Sequence, residues 1–286
     1  MTTPSSLPNG LRERVLAASS SARSAGRATP RPPEITATEA FARAADAFTG
    51  LLSALSSEQW HTRVLRELDV QGLVGHLSGV ERDVQRAIAG DVDVADADHI
   101  GSTQGLAAAQ SGREPQATQA EWRAAVDQTL MDVEACEHDA ADVLSMHGMR
   151  LSLEALLVVR AFELWTHEND IRRAVGMPSS VPDPSTLTLM TDLAVLLLPH
   201  AVTRTSAVAA PTDLHLVLTG DGGGTWDLPL GTRDRASEPA ELLLVVDAVD
   251  FCRLVANRVA PEAIDVHVEG DGVAGILSAA ASLALD

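Results

Sequence analysis

The stretch FELWTHENDIRR, residues 162–173, puts Glu163, His167 and Asp170 on one helical repeat. Consecutive helical residues turn by roughly 100° and rise about 1.5 Å, so Glu163 and His167 lie one turn apart, offset by roughly 40° around the axis. Leu156, Val159, Ile171 and Ala174 surround them on that projection, while Glu168, Asn169, Arg172 and Arg173 line the opposite, solvent-facing side. A carboxylate on an apolar face is costly unless it has a partner. One partner is Arg160, on the same side, in an internal ion pair of the kind that occurs without function. The other is a divalent metal, because Glu-x-x-x-His aims a carboxylate oxygen and an imidazole nitrogen at one point. Two protein ligands are too few for a tight site, so a third is required.

His76 is the best-placed third ligand. In DVQGLVGHLSGVERDV it borders the apolar stripe of Leu73, Leu77, Val80 and Val84, and Gly72, Gly75 and Gly79 leave room for a neighbouring helix. Alone, such a histidine is more often a satisfied core residue. Opposite an inward Glu-x-x-x-His it gains a second reading as a ligand. His61 and His99 fall at helix edges or in loops, His138 lies among acids, and His200, His215 and His267 belong to the C-terminal part. Two imidazoles and one carboxylate leave coordination positions open for water or substrate, the pattern of a catalytic site. Zinc suits these donors, with iron or manganese as alternatives. Asp170, about two turns from Glu163, either orients a ligand or is solvated at the rim.

The elements that must position these residues are helices. TATEAFARAADAFTGLLSAL opens on a capping box, Thr36 to Glu39. LDVQGLVGHLSGVERDVQRAI follows with Asp69 as N-cap. Residues 116–144 read as a third long helix and 152–176 as a fourth, stopped by Gly176 with Pro178 beyond. Four long helices with no strand between them predict a four-helix bundle. Residues 91–114, acidic and then small and polar, read as a connection. After MPSSVPDPST the pattern changes: a helix, two alternating runs around a Gly-rich turn, a third strand at AELLLVV, a helix, a fourth strand at AIDVHVEG and a last helix. The expected fold class is α+β, a bundle followed by a smaller α+β domain with a mainly antiparallel sheet. The expected division is a flexible basic arm over 1–34, the bundle over 35–178 and the second domain over 185–286.

The formal charge of −19 repels nucleic acid and anionic membrane, so an anionic substrate needs a local arginine. Residues 1–33 run the other way, with five arginines against one acid. Cys136 and Cys252 are far apart and form no CxxC, which fits a reducing compartment. No apolar run reads as a membrane span and MTTPSSLPNG lacks a signal-peptide core, so a cytoplasmic protein is expected. GDGGGTWDL lacks the Lys-Ser/Thr of a phosphate loop and reads as a hairpin turn. DVDVADAD lacks the central Gly and final Glu of a calcium loop and reads as a solvated acidic loop.

VLRELDVQGLVGHLSGVE, FELWTHENDIRRAVG and DFCRLVANRVAPEAIDVHVEGD together resemble the mycothiol-dependent maleylpyruvate isomerase family of actinobacteria, over roughly residues 36–286. The resemblance implies a DinB-like four-helix bundle binding a divalent metal, usually zinc, and a C-terminal domain like sterol carrier protein 2. The family's metal-binding histidine of the second bundle helix matches His76, and its glutamate and histidine of the fourth match Glu163 and His167. The implied cosubstrate is mycothiol, a small thiol held as thiolate by the metal. In an isomerase the thiolate adds to a cis double bond of a small electrophile, the new single bond rotates, and the thiol leaves to give the trans product. In a transferase relative the thiol stays attached. The family also uses an arginine of the C-terminal domain at the site. Arg253 and Arg258 are the candidates for cosubstrate binding here, with Arg258 preferred as the catalytic one. The chain departs from the family in reading LRELDV where many members have Pro-x-Trp, which leaves the substrate open. Outside the isomerase or transferase reading stand a non-catalytic metal-binding or regulatory protein on the same fold and a metal-dependent hydrolase.

Overall fold

The computed structural model describes residues 32–136, 142–208, 210–231 and 240–284. Most of the basic arm, and His138, lie outside them. Residues Glu34–Asp286 form one compact unit. Its helical half is built on α1 (Ala37–Ala54), α2 (Val70–Ile88), α3 (His99–Ala109), α4 (Pro115–Ala135) and α5 (Leu153–Ala174). The caps are those that polar residues ahead of apolar runs supply. Thr36 Oγ1 accepts from Glu39 N, Asp69 from Gly72 N and Ser152 from Ala155 N.

Three expectations change here. The acidic stretch before residue 100 is not a solvated loop. Asp91 caps a short 3-10 turn, Val92–Val94, and Asp98 caps α3, an additional helix packed on α2. Its approach follows from glycine. A Cβ on Gly75 would lie 2.6 Å from the Gln110 side chain and 2.9 Å from the Leu106 carbonyl, and one on Gly79 would lie 2.8 Å from Thr103. The third long helix ends at Ala135, short of the expected residue 144. Two small antiparallel hairpins interrupt the bundle, β1 (Arg63–Leu65) with β2 (Leu68–Asp69), and β3 (Val143–Met146) with β4 (Met149–Ser152). The β3–β4 turn is two residues, His147 and Gly148, both at positive φ (51° and 75°), as a tight hairpin requires.

Helix α6 (Pro184–Thr205) joins the halves. Leu187, Met190 and Leu193 belong to the core of the bundle, and Ala194, Val195, Leu198, Ala201 and Val202 to the core beneath the sheet. By length and composition this helix is apolar enough to cross a membrane, contrary to the expectation that no run qualifies. Much of its apolar surface is buried in the two cores. The sheet has the order β6-β5-β7-β8, from β5 (Thr212–Thr219), β6 (Gly224–Leu230), β7 (Ala240–Asp247) and β8 (Val266–Glu269). The β5/β7 pair is parallel and the other two are antiparallel. The Gly-rich stretch is the β5–β6 hairpin turn, and Gly222 (φ 71°) seats it on α6, its carbonyl accepting from Thr191 Oγ1 at 2.6 Å. Helices α7 (Ala248–Val255) and α8 (Val273–Ala281) cover the sheet's inner face. Cys252 on α7 reaches the bundle core.

Candidate metal centre

Glu163 is held by one oxygen and offers the other. Arg160, one turn earlier on α5 and fully buried, donates from Nη1 to Glu163 Oε2. It also donates from Nη2 and Nε to Glu81 Oε1, at 2.7 and 3.2 Å. Glu81, on α2 and equally buried, accepts at Oε2 from Thr129 Oγ1 of α4 at 2.9 Å. A chain of charge-assisted bonds thus crosses three helices and ends on a carboxylate. That carboxylate's second oxygen, Glu163 Oε1, is buried with no hydrogen-bond partner among the described residues. Leaving an ionised oxygen unpaired out of water is costly.

Three imidazoles converge on that oxygen. Nε2 of His76, His99 and His167 lie 3.7, 3.7 and 3.9 Å from Glu163 Oε1. The ligand atoms of His76, His99 and Glu163 lie within 4.8 Å of one another. Such separations are too long for hydrogen bonds but suit donors around a shared cation. Ligand bonds of about 2.0–2.1 Å would place the corners of a tetrahedron roughly 3.4 Å apart. The orphaned oxygen and the nitrogen-rich donor set therefore fit a divalent metal.

The remaining ring nitrogens are occupied. Thr103 Oγ1 donates to backbone carbonyls of its own helix, to His99 at 3.0 Å or Ile100 at 3.1 Å, so towards His76 Nδ1, 2.6 Å away, it acts as acceptor. His167 Nδ1 donates to Asp170 Oδ2 at 3.1 Å. Both rings are thereby turned so that Nε2 presents a lone pair to Glu163. Burial pulls His76 below its ordinary pKa and His99 down to about 4, outweighing the attraction of Glu163. Burial works the other way on Glu163, but the Arg160 guanidinium, with His76 and the neighbouring rings, holds its carboxyl well below the usual carboxylate range. Neutral imidazoles and an ionised carboxylate are the states in which these groups bind a cation.

The sequence-derived trio His76, Glu163 and His167 is thus brought together; the ion pair expected with Arg160 is made by Glu163 Oε2, and Oε1 is left facing the three rings. His99, set aside as a loop or helix-edge residue, joins them from α3. Asp170 is not solvated: it is 1% exposed, and burial is overcome by His167 and Arg258, which keep its carboxyl below the usual range. Glu168, assigned to the wet face, is also buried, with Arg172 Nε donating to it at 2.7 Å. Arg258 reaches the cluster indirectly, through Asp170. Arg253 pairs with Asp250 on its own helix at 2.9 Å, which does not bring it to the cluster. A surface cleft of about 740 Å³ opens elsewhere, on the outer face of the sheet. Asp213, Asp227, Glu241 and Glu269 line it, a poor lining for an anion.

Fold and site together define a helical bundle with an internal His/Glu cluster, fused to a small α+β half. Residues 41–172 match the family model described as the mycothiol maleylpyruvate isomerase N-terminal domain. Solved structures of a mycothiol-dependent maleylpyruvate isomerase, and of a histidine-to-alanine variant of it, share the fold. They are 12% and 11% identical in sequence, with a TM-score of 0.55 in each case, covering 80% of this chain and 91% of theirs. No curated protein matches the chain in sequence. The chain accordingly has the fold of that isomerase, and the family resemblance read from its residues is matched over the helical part, residues 41–172.

Proposed function

We propose that the chain is a soluble, cytoplasmic, metal-dependent enzyme that uses a low-molecular-weight thiol, mycothiol, on a small electrophilic substrate, by cis–trans isomerisation or by thiol transfer. The observation that carries this reading is Glu163 Oε1, buried, unpaired and faced by three imidazole Nε2 atoms. His76, Glu163 and His167 would hold the metal, and zinc suits a nitrogen-rich set with one carboxylate. A bound divalent cation would supply a Lewis acid that keeps a thiol ionised near neutral pH. The chain's own residues do the rest. Arg160 fixes Glu163 so that Oε1 and not Oε2 faces inward, and Thr103 and Asp170 fix two rings. Arg258, paired with Asp170, would present its cationic edge to an anionic substrate or to the thiol. Neither protein thiol is needed: Cys252 is fully buried, and burial pushes its pKa up. The C-terminal half, by its resemblance to sterol carrier protein 2, would complete the binding site.

The test is metal content by mass spectrometry on wild type, His76→Ala and His167→Ala, followed by turnover of a cis-configured electrophile with and without mycothiol. About one zinc per chain, lost in both variants, and turnover only with thiol are expected. A protein purified without chelator that contains no metal and takes none up would sink the reading. Thiol-independent hydrolysis would replace it with that of a metal hydrolase.

A further inference from the structure

His99 reaches the centre by a different support from the other two histidines. Its Nδ1 lies 3.1 Å from Nδ1 of His147, and Nε2 of His147 lies 2.9 Å from Asp83 Oδ2. Asp83 is buried at 5% exposure. Its Oδ2 also accepts from Ser102 Oγ at 2.9 Å and its Oδ1 from Arg86 Nη1 at 3.2 Å. Burial works against ionisation of Asp83, but these partners hold its carboxyl below the usual range. An ionised carboxylate only accepts, so His147 in its neutral form carries its proton on Nε2 and has a lone pair on Nδ1. That lone pair accepts from His99, whose proton is therefore on Nδ1. His99 is left with an unprotonated Nε2, the atom 3.7 Å from the orphaned Glu163 oxygen.

The local fold is built to hold this arrangement. His147 occupies the first position of a two-residue hairpin turn at φ 51°. The turn is pinned by backbone bonds from His147 N to Val94 O (3.0 Å) and from Gly148 N to Ala95 O (2.7 Å). Asp83 lies on α2, the helix that carries His76, and Ser102 lies on α3 beside Thr103. Three segments thus meet behind one imidazole. A left-handed backbone at a non-glycine residue is uncommon, and here it delivers a ring to a buried carboxylate.

We propose that His99 is a fourth protein donor to the cation at this centre, and that His147 and Asp83 are positioning residues that fix its ring and tautomer. The inference rests on the metal reading above; with four protein donors, a thiol would enter as a fifth ligand or in place of one of the four. It adds a carboxylate–histidine–histidine chain to a site for which the sequence offers two histidines and one glutamate. Removal of such outer partners of a ligand typically weakens metal binding by about 10- to 100-fold.

The experiment is cobalt(II) titration of the metal-free full chain, read as dissociation constant and visible absorption, which depends on donor set and geometry. His99→Ala and His147→Leu are each expected to bind cobalt about 10- to 100-fold more weakly with altered bands. His147→Asn is expected to restore wild-type bands, because the amide oxygen can accept where Nδ1 does and Asn tolerates positive φ. Nitrogen-15 NMR of the wild-type zinc form gives a second measurement that does not depend on any variant folding. It should show His99 protonated on Nδ1 with Nε2 shifted by metal. A His99 ring unshifted by zinc, or wild-type affinity and bands in His99→Ala and His147→Leu, overturns the proposal. A wild type that takes up no cobalt removes the metal reading itself, and this inference with it.

Discussion

Arg258 closes on Asp170 across 88 positions of sequence, with Nε 2.9 Å from Oδ1 and Nη2 2.8 Å from Oδ2. The same Oδ2 accepts from His167 Nδ1 at 3.1 Å. One carboxylate therefore couples the sheet half of the chain to a ring of the candidate metal centre. Arg173 Nη2 adds a further bond to Oδ1 at 2.6 Å. Because Asp170 is buried and Arg258 only partly exposed, this is not a surface pair of negligible worth.

Removing either partner should be felt in both halves. Arg258→Met leaves Asp170 short of its bidentate partner and is expected to lower unfolding stability by roughly 2–4 kcal/mol, less than the ~3–5 kcal/mol for a fully buried pair because Arg258 is partly exposed. Asp170→Asn retains the shape but weakens the hold on His167, and should reduce metal affinity about 10- to 100-fold. Denaturant unfolding and metal titration measure the two effects separately. Wild-type metal affinity in Asp170→Asn would show that His167 needs no orientation from this side.

The same carboxyl sets an acid limit. Its pKa in the fold lies below that of an unfolded aspartate, about 3.9. Its contribution to stability is thus fully present above about pH 4 and is lost as pH falls through the folded value. Urea unfolding of the metal-free chain between pH 3 and pH 7 should show stability declining at the acid end. Asp170→Asn, less stable at neutral pH, should show a shallower decline, and parallel curves would assign the acid sensitivity to other groups.

Arg160 is the second buried junction, serving Glu81 and Glu163 at once. Arg160→Met would leave two carboxylates buried without their shared cation, at a cost of about 3–5 kcal/mol. It should also raise the pKa of Glu163 and weaken metal binding at neutral pH. The double variant Arg160→Met/Glu81→Leu removes one of the stranded charges and should recover part of the stability in thermal or urea unfolding. Recovery of stability without recovery of metal binding is the expected split, because Glu163 still lacks its anchor.

Much of the fold could be read from local pattern, since capped apolar helices and alternating strands announce themselves over short windows. The trio His76, Glu163 and His167 was readable for a similar reason: helical periodicity puts Glu163 and His167 one turn apart on an apolar face. His99 was not readable that way. Its helix is short, begins in an acidic run resembling a loop, and has no amphipathic stripe to mark a buried side. His147 lies in a hairpin turn, where residue type says little about direction. The pairing of Asp170 depends on Arg258, 88 positions away and just beyond α7, and no projection of α5 alone contains that neighbour. The signal that pointed towards His99 was indirect, in the glycines of α2.

Those glycines yield the last prediction. Gly75 and Gly79 occupy helix interior, where alanine would ordinarily stabilise by about 1 kcal/mol. Here an added methyl on Gly79 would lie 2.8–3.1 Å from Cγ2, Cβ and Cα of Thr103, and one on Gly75 would meet the Leu106 carbonyl at 2.9 Å. Backbone atoms cannot rotate away, so α3 must move, at an expected cost of about 1–3 kcal/mol that outweighs the helix preference. Displacing α3 carries Thr103 off His76 and shifts His99 relative to Glu163, so metal affinity should fall along with stability. Gly50→Ala on α1 is the control, because nothing lies within 4 Å of its added carbon. It should leave metal titration unchanged and stability equal or higher. If Gly79→Ala binds metal as tightly as wild type, the close packing of α2 and α3 is structural only and does not set the geometry of the centre.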